Sequence, residues 1–236
     1  MSNSKPVFGY HGLRGKFWLE NSFHTSKIAQ PIRFQLAYLG VDYVDKQYPL
    51  TQEGAEEWAQ EKEHHGLDFP NLPYWKDGEV NMTESRAILK FLARTEGGGK
   101  LIPTDARSLV NAEMVEGLLW DVWYGLIWRC YLDSEDMINA LARCPPKLEV
   151  LNKFLGNKKW VLGDQISYVD FMLYEILHQY SLYDPKYLSP CGALLKLKAN
   201  FEELPAIKKY MASPEYIAAP CFHPMYAKHK VVGLTC

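Results

Sequence analysis

The sequence predicts two domains, an α+β unit built on a mixed sheet followed by an all-helical bundle. Its 236 residues suit two compact units, each able to bury a core. Short strand-like and helix-like segments alternate over the first ninety-odd residues, whereas the remainder is helical in pattern almost throughout. Between the two, "RTEGGGKLIPTD" gathers three glycines, a proline and the Thr104-Asp105 cap signal after an apolar helix. The boundaries fall at 1–96, a linker at 97–104, and a helical domain at 105–236.

Element by element, "PVFGY" reads as a buried strand. "IAQPIRFQLAYLG" reads as a helix with Pro31 in its first turn, where a missing N–H costs little, and Gly40 as its stop. "YVDKQY" is a second strand and "EEWAQEK" a short irregular helix. "NLPYWKDGEVNM" is a hairpin turning at Asp77-Gly78, followed by the helix "ESRAILKFLART". This order, strand, helix, strand, helix, strand, strand, helix, is thioredoxin-like, with a mixed four-stranded sheet. Pro73 heads its strand without an N–H to donate. Spacing alone favours an ordinary trans bond there, since only about 5–6% of X-Pro bonds are cis.

A net charge of −2 and a pI near 6.4 give no general attraction to phosphate backbones or anionic lipid, so nucleic acid and membrane surfaces are excluded as expected partners. The five cysteines are odd in number and scattered without a CxxC pair, which fits a reducing compartment and argues against zinc. No basic start with an apolar core opens the chain, and no run approaches the roughly 18 apolar residues of a membrane span; a cytoplasmic location is expected. Lys100 is followed by Leu101 and lacks the upstream glycine of a phosphate loop. His64 and His65 are adjacent, cannot share a helix face as a metal pair, and are expected in solvent, so no metal site is expected.

Taken together, "FGYHGLRG", "AQPIRFQLAY", Trp58 with Lys62, "GLDFPNLPYWKDG", "TESRAILKFLAR" and "ISYVDFMLYEIL" resemble a cytosolic glutathione transferase, most like the mu class. The likeness spans nearly the whole chain, with Gly66 to Tyr74 its most specific string and Ser167-x-x-Asp170 resembling the family's capping box. The resemblance implies glutathione as co-substrate, no prosthetic group, and conjugation of its thiolate to apolar, bulky electrophiles in detoxification. A non-catalytic ligand-binding or structural relative, or a glutathione-dependent isomerase, is the alternative.

The chemistry of glutathione gives each implied residue a task. A free thiol has a pKa near 8.5, so a phenol donor at Tyr10, the expected catalytic residue, would favour the thiolate. Glu84 and Ser85 open a helix and suit the γ-glutamyl ammonium and carboxylate, with Asp121 of a neighbouring subunit also approaching the ammonium. Trp58 and Lys62, at i and i+4, offer two donors to the glycyl carboxylate. Ala55 stands where the family has an arginine and His11 where it has a tryptophan, so His11 is a candidate replacement donor. Asn71 and Leu72 would meet the cysteinyl backbone as an added strand, and the resemblance implies that Leu72-Pro73 is cis. Tyr124, Ile127 and Tyr131 would face the electrophile, on a helical stripe with Trp123 and Trp128 that otherwise reads as core, and "FHPMYAKHKVVGLTC" would cover that pocket. Phe69 is implied as the key residue of a homodimer, against the alternative of packing within its own domain.

Lys16 to Lys27 is a dozen-residue insertion relative to that family, placed between catalytic strand and helix. Thr25 and Ser26 can cap the resumed helix, and extra loop length costs entropy only logarithmically. Phe17, Trp18, Leu19 and Phe23 predict a folded flap beside the active-site mouth, against a disordered or disabling excursion.

Overall fold

The computed structural model describes residues 5–14, 29–131, 139, 141–222 and 227. The Lys16 to Lys27 insertion, Thr25 and Ser26, and all of the C-terminal segment except Phe222 and Ala227 lie outside the described residues.

Four strands form one sheet in the order β2-β1-β3-β4. Strand β1 (Val7–His11) is parallel to β2 (Val44–Tyr48) and antiparallel to β3 (Tyr74–Lys76), which pairs antiparallel with β4 (Asn81–Thr83). A parallel pair needs a crossover, supplied by α1 (Gln30–Leu39). This helix ends at Gly40, whose φ of 69° is costly for residues with a Cβ and lets its N–H reach Leu36 O and Ala37 O. Its start differs from the expected Thr25-Ser26 cap. Ala29 holds the N-cap position without a side-chain bond, because the Arg14 carbonyl accepts the N–H groups of Ala29 (3.2 Å) and Gln30 (3.0 Å). The same contacts join Arg14 and Ala29, described residues on either side of the insertion, by a hydrogen bond.

The second helix is longer and more regular than the sequence suggested. α2 (Gln52–Glu61) begins at Thr51, whose hydroxyl accepts from Gly54 N, and it runs on into a 3₁₀ turn at Lys62–His64. Gly54 is required there: a Cβ would sit 2.2 Å from the Pro49 carbonyl oxygen. The β3–β4 hairpin turns where expected, with Asp77 Oδ1 accepting from the amides of Glu79 and Val80. α3 (Ser85–Thr95) buries Ile88, Leu89 and Leu92.

Glu96–Gly99 form a 3₁₀ turn in which Gly97 and Gly98 take positive φ, and the chain passes from sheet to bundle. The helical part contains α4 (Ala106–Tyr131), α5 (Cys144–Leu155), α6 (Tyr168–Tyr183), α7 (Gly192–Glu202) and α8 (Pro205–Met211). α6 is buried on nearly all sides, as its almost uninterrupted apolar sequence requires. It starts at the expected capping box of Ser167 and Asp170, and the Asp170 carboxylate also accepts from Val161 N at 2.8 Å. Tyr168 N donates to Leu101 O (2.9 Å) and pins the connecting segment to the bundle.

Aromatic packing joins the two parts. Phe34 on α1 meets Tyr174, Phe201 and Tyr210 edge-on at centroid distances of 5.2, 5.5 and 5.6 Å. Beside them lies a wholly buried ion pair, Arg14 with Glu175. Cys130, Cys144, Cys191 and Cys221 are buried cysteines, none joined in a disulfide. Among the described residues no helix is long and apolar enough to cross a membrane, and no cluster of three or more candidate metal ligands occurs.

Candidate active site

Strand register decides what meets at the sheet's end. Gly9 lies opposite Tyr74, and Tyr74 opposite Thr83. Tyr10 follows Gly9, Pro73 precedes Tyr74 on an antiparallel strand, and Glu84 follows Thr83, so all three fall at the same end of the sheet. Tyr48 joins them, paired with His11 across the parallel β1–β2 ladder. The close approach of β1 and β3 depends on Gly9, where a Cβ would lie 2.1 Å from the Tyr74 ring.

Tyr10 is buried and packs edge-on against His11 at 5.7 Å. Two arginines fix the loop that follows it. Arg33 donates to the Leu13 carbonyl (3.0 Å) while its guanidinium grips Asp45 at 2.9 and 3.2 Å. Arg14 donates to both Glu175 oxygens, at 3.1 and 2.6 Å, and to Tyr216 Oη and Ile217 O. Burial disfavours the charged guanidinium of Arg14, but the Glu175 carboxylate more than offsets this and raises its pKa.

Leu72-Pro73 is cis, as the resemblance implied and against the expectation from spacing alone. The Leu72 amide is not open in this state: it donates to the side chain of its own neighbour, Asn71 Oδ1, at 2.9 Å. Glu84 stands at the N-cap of α3 with φ 73°, a region few non-glycine residues adopt, and its side chain does not cap its own helix. That conformation leaves Glu84 exposed at the head of the helix and Ser85 buried beside the first amides. Strain of this kind is worth about 1–3 kcal/mol and clusters at ligand clamps.

Trp58 and Lys62 do lie one helical turn apart, with Lys62 N donating to Trp58 O. The indole is held in an aromatic nest that the sequence reading missed. It is near-parallel to Tyr74 (5.9 Å, 17°) and to His65 (5.7 Å, 21°), and edge-on to Tyr48 (5.5 Å). The Tyr48 hydroxyl donates to Glu61 Oε2 at 2.8 Å, and burial raises its pKa. His64 is exposed as expected, but His65 is not: its side chain is 17% exposed, because the 3₁₀ turn folds it back onto Trp58 and Tyr74. The signal available in sequence was the four-residue spacing from Glu61 to His65.

On the helical side, the stripe divides. Trp123 and Ile127 are wholly buried, with the Trp123 indole N–H bonded to Gln179 Oε1 at 2.8 Å. Ile127, expected to face the electrophile, lies in the interior on the same face of α4 as Trp123. Tyr131 is buried and meets Phe222 edge-on at 5.7 Å. Tyr124 and Trp128 are half-buried and stacked. Asp121 is exposed and paired with Lys147 at 2.6 Å. Phe69 is 78% exposed, its carbonyl held by the Thr83 hydroxyl.

Two family models match the chain: the glutathione S-transferase N-terminal domain over residues 22–94 and the C-terminal domain over 131–214. The chain is 35% identical to mouse glutathione S-transferase Mu 1 over 224 residues, 93% of this chain and 96% of that one. It is also 35% identical to a glutathione S-transferase of Dermatophagoides pteronyssinus, across 92% and 95% of the two chains. The crystal structure of the glutathione S-transferase Blo t 8 superposes with a TM-score of 0.78 at 35% identity, covering 94% of this chain and 99% of that one. With the sheet, the cis proline and both domain matches in agreement, this chain belongs to the glutathione S-transferase family, with mu-class members among its relatives.

Proposed function

We propose that this protein is a glutathione transferase that joins the glutathione thiolate to apolar, bulky electrophiles, a detoxifying activity of the cytoplasm. The observation that carries the reading is the register that gathers Tyr10, the cis Leu72-Pro73 bond and the Glu84-Ser85 helix start at one end of the sheet. Tyr10 Oη donates to the sulfur. A hydrogen bond to a charged group contributes about 1.5–3 kcal/mol, enough to lower the thiol pKa by roughly one to two units. The thiolate then forms a carbon–sulfur bond as the electrophile's leaving group departs or its carbanion takes a proton.

The three polar ends of glutathione have matching partners. Ser85 and the first amides of α3 suit the γ-glutamyl carboxylate, and Glu84 its ammonium. The cysteinyl backbone pairs with Leu72 once Asn71 releases that amide. Trp58, Lys62 and His11 suit the glycyl carboxylate. Tyr124, Ile127 and Tyr131, the last packed edge-on against Phe222, suit the electrophile. A homodimer completes the site: Phe69, exposed on its own subunit, enters the partner's helical domain, and Asp121 exchanges Lys147 for the γ-glutamyl ammonium across the two-fold axis. The presence of Tyr10, Glu84 and Ser85 together at this end of the sheet supports an enzyme over a non-catalytic relative.

The test is Tyr10→Phe, assayed with glutathione and an aromatic halide. Glutathione affinity stays near wild type, while kcat/KM at neutral pH falls roughly ten- to a hundredfold. In the pH–rate profile the apparent thiol pKa of bound glutathione rises. An unchanged profile would assign activation to another donor, with His11 next.

A further inference from the structure

His65 lies beside Trp58, a residue assigned to the glycyl end of glutathione, without itself touching the proposed ligand. Its imidazole is offset-parallel to Trp58 and 4.6 Å from the Tyr74 ring. Nε2 sits 3.3 Å from Tyr48 Oη and 3.6 Å from Glu61 Oε2. Tyr48 spends its one proton on the Glu61 carboxylate, so the contact with His65 requires Nε2–H as donor. The second proton must then arrive at Nδ1, converting a neutral ring into a cation within the Trp58 nest.

We propose that His65 is a positioning residue for glutathione: its ring holds the Trp58 indole in place, and its protonation draws the glycyl carboxylate more strongly to Trp58 and Lys62. The proposal rests on the reading that Trp58 and Lys62 hold that carboxylate. An imidazolium stacked on an indole and a phenol gains from both ring faces, which tightens the nest. It also offsets the nearby Glu61, whose negative charge opposes a carboxylate ligand. The charged groups acting on the ring are Glu61 from α2, Lys46 of β2 with its partner Glu57, and Lys76 from β3. Burial, followed by Lys76, pushes the imidazole below the ordinary histidine value, while Glu61 pulls it up. The neutral ring therefore dominates at pH 7, and the cation is gained only as the pH falls below the ordinary histidine value.

The experiment measures the dissociation constant of S-methylglutathione by calorimetry from pH 5.0 to 7.0. This thioether has no thiol to ionise, its carboxylates titrate near 3.3–3.7, and its amine titrates near or above 7.7–8.0. Wild-type protein is expected to bind about two- to fivefold tighter at pH 5.0 than at pH 7.0. His65→Phe keeps the stack without the charge, and binds like wild type at pH 7.0 with a flat profile. His65→Ala loses the ring and binds about three- to tenfold more weakly throughout, with kcat at saturating glutathione unchanged. By linkage, saturating S-methylglutathione raises the imidazole's own titration midpoint, followed by NMR, by the logarithm of the same factor. A flat wild-type profile, or a slope that survives in His65→Phe, overturns the proposal, the latter pointing to another group such as His11. Trp58→Ala and Lys62→Ala separate the two layers. If neither weakens binding, the glycyl-end reading fails and the proposal with it; if both do while the His65 variants keep the wild-type profile, only His65 loses its role.

Discussion

Removing the Glu175 carboxylate should damage this protein far more than its distance from the sheet end suggests. Arg14 and Glu175 are both 0% exposed, and the guanidinium spends two N–H groups on this one carboxylate. In Glu175→Ala the cation stays buried with only the Tyr216 hydroxyl and the Ile217 carbonyl as acceptors, and Gln179 Nε2 loses its partner as well. Breaking one side of a buried pair costs about 3–5 kcal/mol. For a chain of this size each kcal/mol moves the midpoint by roughly 2–4 °C, so thermal unfolding at fixed protein concentration should fall by about 6–20 °C. The paired replacement Arg14→Met with Glu175→Leu removes both charges and should recover most of that loss, because the pair's attraction largely offsets its own desolvation. Circular dichroism melts of the three variants decide the matter. A Glu175→Ala midpoint within 2 °C of wild type, or a double variant worse than the single one, would mean that the two buried charges do not depend on each other as their contacts indicate.

Phe69→Ser should weaken self-association, since an aromatic key at an interface hot spot contributes about 2 kcal/mol or more; an unchanged dimer in sedimentation at low micromolar concentration would remove that role. Glu116 gives a pH dependence. Burial raises its pKa, but bonds from Lys90, Tyr168 and Arg86 outweigh this and leave it below the usual carboxylate value. A carboxyl group depressed in the folded state adds stability above its unfolded pKa and loses it as pH falls through the folded one. The urea midpoint of wild type should therefore drop below about pH 4.5 more steeply than that of Glu116→Gln, and equal slopes would contradict the assignment.

What the sequence revealed and what it hid follow from the range of the interactions involved. Gly40, the Ser167 box and the Asp77-Gly78 turn were legible because each is a local contest over a few backbone groups. The cis bond at Pro73 was not, since nothing within the string distinguishes it from a trans edge proline; only its likeness to a family pattern did. The α1 start was misplaced for a related reason. Its first amides are satisfied by the Arg14 carbonyl across a long insertion, a partner that no local cap rule can find.

The helical stripe shows the other side of this limit. Spacings of three and four place Trp123, Tyr124, Ile127, Trp128 and Tyr131 on neighbouring faces of α4, but periodicity cannot say which face a second helix will occupy. α6 takes the face of Trp123 and satisfies its indole through Gln179, while Tyr124 and Trp128 stay half-buried. Sequence spacing therefore nominates a set of residues, and tertiary packing selects among them. The same selection acts on the histidines: adjacent in sequence, His64 and His65 diverge because a 3₁₀ turn carries one into solvent and the other into the rings that frame Trp58. A chemistry-bearing side chain at such a turn acquires its role from partners on β2 and β3, more than fifteen residues before it and nearly ten after it, and no inspection of its immediate neighbours could have assigned it.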